Sequence, residues 1–196
     1  MKPPSQPDYY HEILKLTLEL SSKRPSDAFT LAITGSDCAG KSAATKWLKQ
    51  QLIKLGHSVA TIEVDSYLRP RRLRTGRPTE AEDYYLRGFD FDQLLQDLKK
   101  LKQSLTSKQS STIHQIIIVE GVFLLKAELR PNWDASFWLD ISNKRILKRG
   151  TARDADYFGS REKARTVYET RIIPAQHIHH TRDLPLKTAT SIYKSS

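Results

Sequence analysis

The chain has 196 residues, with 32 lysines and arginines against 22 aspartates and glutamates, a formal net charge of +10, and one cysteine. One domain with a substantial buried core is expected at this length. The lone cysteine excludes an intrachain disulfide, no stretch is long and apolar enough to cross a bilayer, and residues 1–8 lack the apolar segment of a secretory signal, so a reducing cytoplasm is the expected setting.

Residues 1–8 read as a loose arm, with Asp8 as cap of an amphipathic helix from Tyr9 to about Ser22 carrying Ile13, Leu14, Leu16, Leu18 and Leu20. Arg24-Pro-Ser-Asp27 is a connector, and the apolar run 28–34 is a strand. A loop and a helix follow, the helix closing near Gly56, a suitable C′ residue. The next strand covers 58–64 and ends at Asp65; 66–89 has no periodicity and reads as a long irregular stretch. Asp90 starts a helix with Gln93 reaching back to it, running to about Leu101, before a polar, mobile link from Ser104 to Ser111. Strands are predicted at 115–120 and 135–140, and Ser142 caps a basic helix from Lys144 to about Ala152. A charged segment, 153–165, leads into a helix ending near Pro174, and 188–193 supplies a last strand. Strands alternating with helices predict an α/β fold, a mostly parallel sheet flanked by helices in three layers, with ligands beyond the carboxyl ends of the strands.

Residues 35–42, Gly-Ser-Asp-Cys-Ala-Gly-Lys-Ser, join the first of these strands to the helix after it and fit G-x-x-x-x-G-K-[ST]. Gly35 and Gly40 permit backbone angles that a Cβ forbids, so Ser36, Asp37, Cys38 and Ala39 can turn their N–H groups inward around an anion. The helix dipole adds positive potential, Lys41 a mobile cation for the β- and γ-phosphates, and the Ser42 hydroxyl a ligand for Mg²⁺. This is a nucleoside triphosphate site.

Two carboxylates sit at other strand ends. Asp65 is placed to take a proton from an acceptor hydroxyl and to touch Mg²⁺ or its waters. Glu120 ends the most apolar strand, where a charge is costly unless it meets a cation or donors, and a role beside Mg²⁺ follows. Arg149, Arg153, Arg161, Lys163 and Arg165 gather positive charge in a segment able to close over a triphosphate; Gly159 permits a turn within it. His177, His179 and His180 match no zinc spacing and read as a helix end or surface. Cys38 makes the loop a target for thiol alkylation. The charge of +10 is spread along the chain except for Arg69-Pro-Arg-Arg-Leu-Arg74 and Arg77; the usual nucleic-acid motifs are missing, so a small polyanionic ligand is expected rather than nucleic acid.

With these residues in view, the chain resembles the uridine kinase-like branch of P-loop kinases, related to phosphoribulokinase and pantothenate kinase, over about residues 28–185. The likeness rests on the 35–42 loop, on Glu63-Val-Asp65-Ser-Tyr-Leu-Arg-Pro70, on Tyr84-Tyr85 and Phe89-Asp-Phe-Asp92, and on Val119-Glu-Gly-Val-Phe-Leu-Leu125 with Glu128-Leu-Arg130 and Trp133-Asp134. Arg149-Gly-Thr-Ala-Arg153-Asp154 resembles the stretch leading into the family's lid, and Tyr168, Arg171, Pro174 and Gln176 its following helix. The resemblance implies a single P-loop kinase domain with a lid at 153–165, transferring phosphate from ATP with Mg²⁺ to a hydroxyl of a nucleoside or similar metabolite. It implies Asp65 as base, Ser42, Asp65 and Glu120 around Mg²⁺, Lys41, Arg149, Arg153 and Arg161 on the phosphates, and Tyr67, Arg69, Tyr84, Glu120 and Arg171 toward the acceptor. The chain departs from the family in reading Pro174-Ala-Gln176 for Pro-Gly-Gln, and Ser191-Ile-Tyr-Lys194 where the last strand commonly ends in Asp-Asn. Pantothenate or a sugar phosphate stays open as acceptor, as does nucleotide binding without transfer. A guanine-reading switch is disfavoured, because Asn143-Lys144 is followed at 146 by Ile and not by the required acid.

Overall fold

The computed structural model describes residues 8–24, 28–70, 80–106 and 114–195. Its sheet has five parallel strands, β1 (Phe29–Gly35), β2 (Ser58–Glu63), β3 (Gln115–Gly121), β4 (Ala135–Asp140) and β5 (Ser191–Lys194), in the spatial order β2-β3-β1-β4-β5. Burial explains the apolar runs. Along β1 and β3, Phe29, Leu31, Ile33, Ile116 and Ile118 face one core, while Ala32, Ile117 and Val119 face the other.

Helices fill both faces. On the first face lie α1 (Tyr9–Ser22), α2 (Lys41–Lys54) and α5 (Asn143–Arg153), burying Tyr10, Ile13, Leu48, Leu52 and Ile146. On the second lie α3 (Glu80–Arg87), α4 (Phe91–Thr106) and α8 (Ile173–Asp183), burying Ala81, Tyr85, Leu94, Leu98 and Ala175. Two short helices, α6 (Ala155–Phe158) and α7 (Arg161–Val167), follow α5, and α9 (Pro185–Thr188) precedes β5. This is the three-layer α/β arrangement of a P-loop fold.

Several local expectations hold. Helix α2 closes through Gly56 at φ 86°, whose N–H bonds Ile53 O while His57 N–H bonds Leu52 O. Asp90 caps α4 through the Gln93 N–H at 3.1 Å.

Others are corrected. Asp8 has helical angles and makes no side-chain cap, and Ser142 stands at the N-cap of α5 without side-chain capping. The Gln93 amide turns forward to Asp97, not back to the cap. Helix α4 runs past Leu101 because Leu94, Leu98, Leu101 and Leu105 continue one stripe onto the second core. The stretch read as irregular contains α3, whose Tyr85 and Ala81 find a core that local sequence does not reveal. Pro174 does not end a helix. A π-turn, Tyr168–Ile172, puts Ile173 N–H on Tyr168 O and carries the chain past the proline into α8. The arm at 1–7, residues 25–27, the arginines at 71, 72, 74 and 77, and the 107–111 part of the polar link lie outside the described residues.

Candidate active site

The carboxyl ends of β1, β2 and β3 adjoin, because β3 lies between β2 and β1. Glycines let these ends close up. A Cβ on Gly35 would stand 2.2 Å from Leu139 O, and one on Gly121 would stand 2.3 Å from Val64 Cβ. Gly121 thereby draws the end of β3 against the residue preceding Asp65. Thr34 Oγ1 donates to Gly121 O at 2.8 Å and ties β1 to β3 at the same level. Gly40 is different: it holds φ 89° as N-cap of α2 with open space around it, so its requirement is purely of the backbone.

Lys41 is buried, and its Nζ donates to Ser36 O at 2.9 Å across the loop. Ser42 Oγ donates to Glu120 Oε1 at 2.9 Å. A hydroxyl and a carboxylate oxygen therefore converge at the start of α2. That is the hard-oxygen pair a small divalent cation such as Mg²⁺ accepts, the rest of its shell coming from water and phosphate. Among the described residues no group of three or more His, Cys, Asp or Glu could hold a metal alone.

Asp65 lies in a 3₁₀ turn, Val64–Tyr67, directly after β2. Burial by surrounding protein raises its carboxyl above the ordinary value, with Lys41 pulling the other way and Asp37 adding to the rise. Burial likewise raises Glu120, opposed by the Ser42 hydroxyl and Lys41. Asp37 behaves oppositely. Burial works against its charge, but Lys41, Arg153 and the Tyr168 hydroxyl outweigh it and hold the carboxyl below the ordinary value. Cys38 sits at φ 59°, and burial, helped by Asp37, pushes its thiol up to about 11.

Two of the three arginines read as phosphate ligands, Arg149 and Arg153, are engaged with protein. Arg153 bonds Asp154 Oδ1 at 2.7 Å and Asp37 Oδ2 at 3.2 Å. Arg149 donates to Cys38 O at 3.2 Å, so both side chains from α5 reach the loop. Arg161 is exposed at the start of α7. Arg171 lies over the Tyr84 ring at 5.7 Å and the Phe158 ring at 5.9 Å, which joins α8's approach, α3 and α6. Tyr67 donates to Asp97 at 3.2 Å and Arg69 pairs with Asp90 at 3.1 Å, so these two are tied to α4.

Three features escape sequence reading. Tyr168 is wholly buried, and its hydroxyl lies 2.7 Å from both Asp37 Oδ2 and Asp154 Oδ2. Its partner in the loop is 131 residues away, and no spacing signals it. Asp183 is the centre of a second buried network, bonded to Tyr85 of α3, His179 of α8 and the Ala127 N–H, with the buried Lys126 ammonium on Tyr85 O. The histidine read as surface is thus interior. Lastly, a cleft of about 380 Å³ is lined by Ser36, Asp140, Ser142, Gln176, His177 and His180 among others. Gln176 is buried there, and no described residue pairs with its carboxamide.

No protein-family model matches the chain, and no curated protein matches it significantly. Solved structures do. A possible uridine kinase from Bacillus stearothermophilus aligns over 95% of this chain and 97% of its own at 22% identity, TM-score 0.69. A "putative fructose transport system kinase" from Silicibacter sp. TM1040 aligns over 94% of this chain and 98% of its own at 19% identity, TM-score 0.71. The resemblance to uridine kinase-like P-loop proteins read from sequence is therefore matched by the fold.

Proposed function

We propose that this chain is an ATP-dependent phosphotransferase with an alcohol acceptor, a nucleoside or similar small metabolite, and that Mg²⁺ serves the donor phosphates. One observation carries the reading. Lys41, the Ser42–Glu120 pair and Asp65 stand on three adjoining strand ends, where phosphate, metal and acceptor must meet. In this reading the 35–42 amides and Lys41 hold the β- and γ-phosphates, and Ser42 and Glu120 hold the cation. When bound, the cation neutralises charge on the transferred group. Asp65 accepts the hydroxyl proton. Its carboxyl is raised above the ordinary aspartate value, which makes it a better base than an ordinary aspartate. Arg153 and Arg161 supply positive charge from the 153–165 segment, the proposed lid, and Arg149 supplies it from just before that segment. Tyr84 and Arg171, which lie against each other, are assigned to the acceptor side.

Support for transfer over mere binding comes from Asp65. Binding alone gives no use for a carboxylate beside a phosphate loop that disfavours neighbouring anions. The test is ADP release with Mg-ATP across nucleosides, nicotinamide riboside, pantothenate, sugars and sugar phosphates. The names of the Bacillus and Silicibacter proteins make uridine and fructose the first two acceptors to try. Asp65→Asn should abolish release and keep ATP binding. Wild-type turnover in that variant would remove Asp65 from the chemistry.

A further inference from the structure

The third position of the phosphate loop carries an acid, Asp37, where the loop must receive a polyanion. Its carboxylate lies close enough to Lys41 for the two to attract each other. Left to itself, this carboxylate would settle on the ammonium group that the reading above assigns to the β- and γ-phosphates. The structure turns it elsewhere. Asp37 Oδ2 meets the Tyr168 hydroxyl at 2.7 Å and Arg153 Nη2 at 3.2 Å. Arg153 Nη2 also donates to the Tyr168 oxygen at 3.0 Å and to Asp154 Oδ2 at 3.0 Å.

The donors in this group are few. Tyr168 has one hydroxyl proton facing two carboxylates at equal distance, Asp37 and Asp154. It can donate to one at a time, and the other is left to Arg153. The hydroxyl is anchored from behind: the Tyr168 ring is wholly buried and lies against the bare backbone of Gly150, where a Cβ would come within 2.1 Å of ring carbon Cζ. Tyr168 also opens the π-turn, a geometry that recurs where helices are bent to serve a site.

We infer that Tyr168 is a positioning residue of the donor site: its hydroxyl, with Arg153, holds the Asp37 carboxylate off Lys41 so that the lysine is open to the triphosphate. This inference rests on the loop being a triphosphate site. Removing the hydroxyl, Tyr168→Phe, releases Asp37 toward Lys41, and the two anions then compete for one cation. Removing the charge as well, Tyr168→Phe with Asp37→Asn, ends the competition. A tyrosine that only fills space would show no such rescue.

The experiment is equilibrium titration of Mg-ATP and of inorganic tripolyphosphate into wild type, Tyr168→Phe, Asp37→Asn and the double variant, with circular dichroism to confirm folding. Expected is binding weakened about tenfold for both probes in Tyr168→Phe, the scale of losing a hydrogen bond to a charged group. The double variant should recover to within about threefold of wild type, and Asp37→Asn alone should bind within about twofold of wild type or more tightly. Unchanged binding in Tyr168→Phe, or no recovery in the double variant, overturns the inference. So does a tenfold loss in Asp37→Asn alone, which stands even if Tyr168→Phe fails to fold. Failure of wild type to bind either probe refutes the donor-site reading itself and is seen before any variant is compared.

Discussion

Gly150→Ala tests how tightly helix α5 is pressed on the site. In an isolated helix this change stabilises by about 1 kcal/mol, since alanine restricts the unfolded chain and favours helix. Here the new Cβ would lie 2.1 Å from Tyr168 Cζ, whereas ordinary contacts begin near 3.4 Å, so the ring must shift by about 1.3 Å. It has no free space to enter, being wholly buried, and its hydroxyl is held at 2.7 Å by two carboxylates. Overpacking costs about 1–3 kcal/mol, and loosening hydrogen bonds to charged groups costs about 1.5–3 kcal/mol more. Set against the helix gain, the net expectation is a loss of about 3 kcal/mol, read from urea unfolding at unchanged m. In a Tyr168→Leu background the space is relieved, and Gly150→Ala should become neutral or stabilising, a coupling that a double-mutant cycle isolates. If Gly150→Ala is as stable as wild type, the α5–Tyr168 contact is wrong and the clasp on Asp37 loses its anchor.

Three further outcomes follow from the same geometry. Asp65 has a pKa raised above 3.8 by burial, so the acid limb of kcat/KM should lie above the ordinary aspartate range, activity falling as pH falls through it. Because its folded pKa exceeds the unfolded one, protonation favours the fold and that advantage is lost as pH rises. Asp65 is exposed as a residue, so solvent screens this effect, and Asp65→Asn should leave Tm at pH 7 unchanged or slightly raised while abolishing transfer; a clearly lower Tm contradicts the raised carboxyl. Asp183→Ala strips partners from Tyr85, His179 and the Ala127 amide and should cost about 3 kcal/mol in urea unfolding, with a loss below 1 kcal/mol contradicting the buried network. Iodoacetamide should label Cys38 slowly at pH 7 and faster as pH rises toward about 11, with Mg-ATP protecting; rapid labelling at pH 7 would disprove the buried thiol.

The parts readable from sequence are those set by local chemistry. Short apolar runs, β-branched in β1 and β3 and aromatic in β4, gave these three strands, because strands buried on both faces need little else. The glycine and lysine spacing of 35–42 gave the loop, because backbone angles and one cation define it. What could not be read depends on contacts across the fold. Helix α3 is acidic and short, and it exists because Tyr85 reaches Asp183 98 positions later and its flank packs on Phe123. Pro174 looked like a stop, since the π-turn that accommodates it is a property of the surrounding helices. Asp37 looked out of place in a phosphate cradle until Tyr168, 131 positions on, gave it a partner.

The distribution of carboxylate affinities around Lys41 separates scaffold from chemistry. Asp37, Asp65 and Glu120 all interact with this one ammonium group, yet their pKa values move apart. Asp37 is lowered because protein donors, Arg153 and Tyr168, already satisfy its charge. Asp65 and Glu120 are raised, because neighbouring protein displaces part of their water and returns too few donors: Glu120 is buried and receives one bond from Ser42, while Asp65, exposed as a residue, has no hydrogen bond on its carboxylate among the described residues. A fold selected for stability alone would do better with a neutral residue in place of the buried Glu120, since its charged form is penalised where it stands. In the proposed reading these two carboxylates, at adjoining strand ends and beside a lysine that cannot neutralise both, await a cation and a proton. Asp37, by contrast, belongs in that reading to the frame: its charge is satisfied within the protein by Arg153 and the Tyr168 hydroxyl.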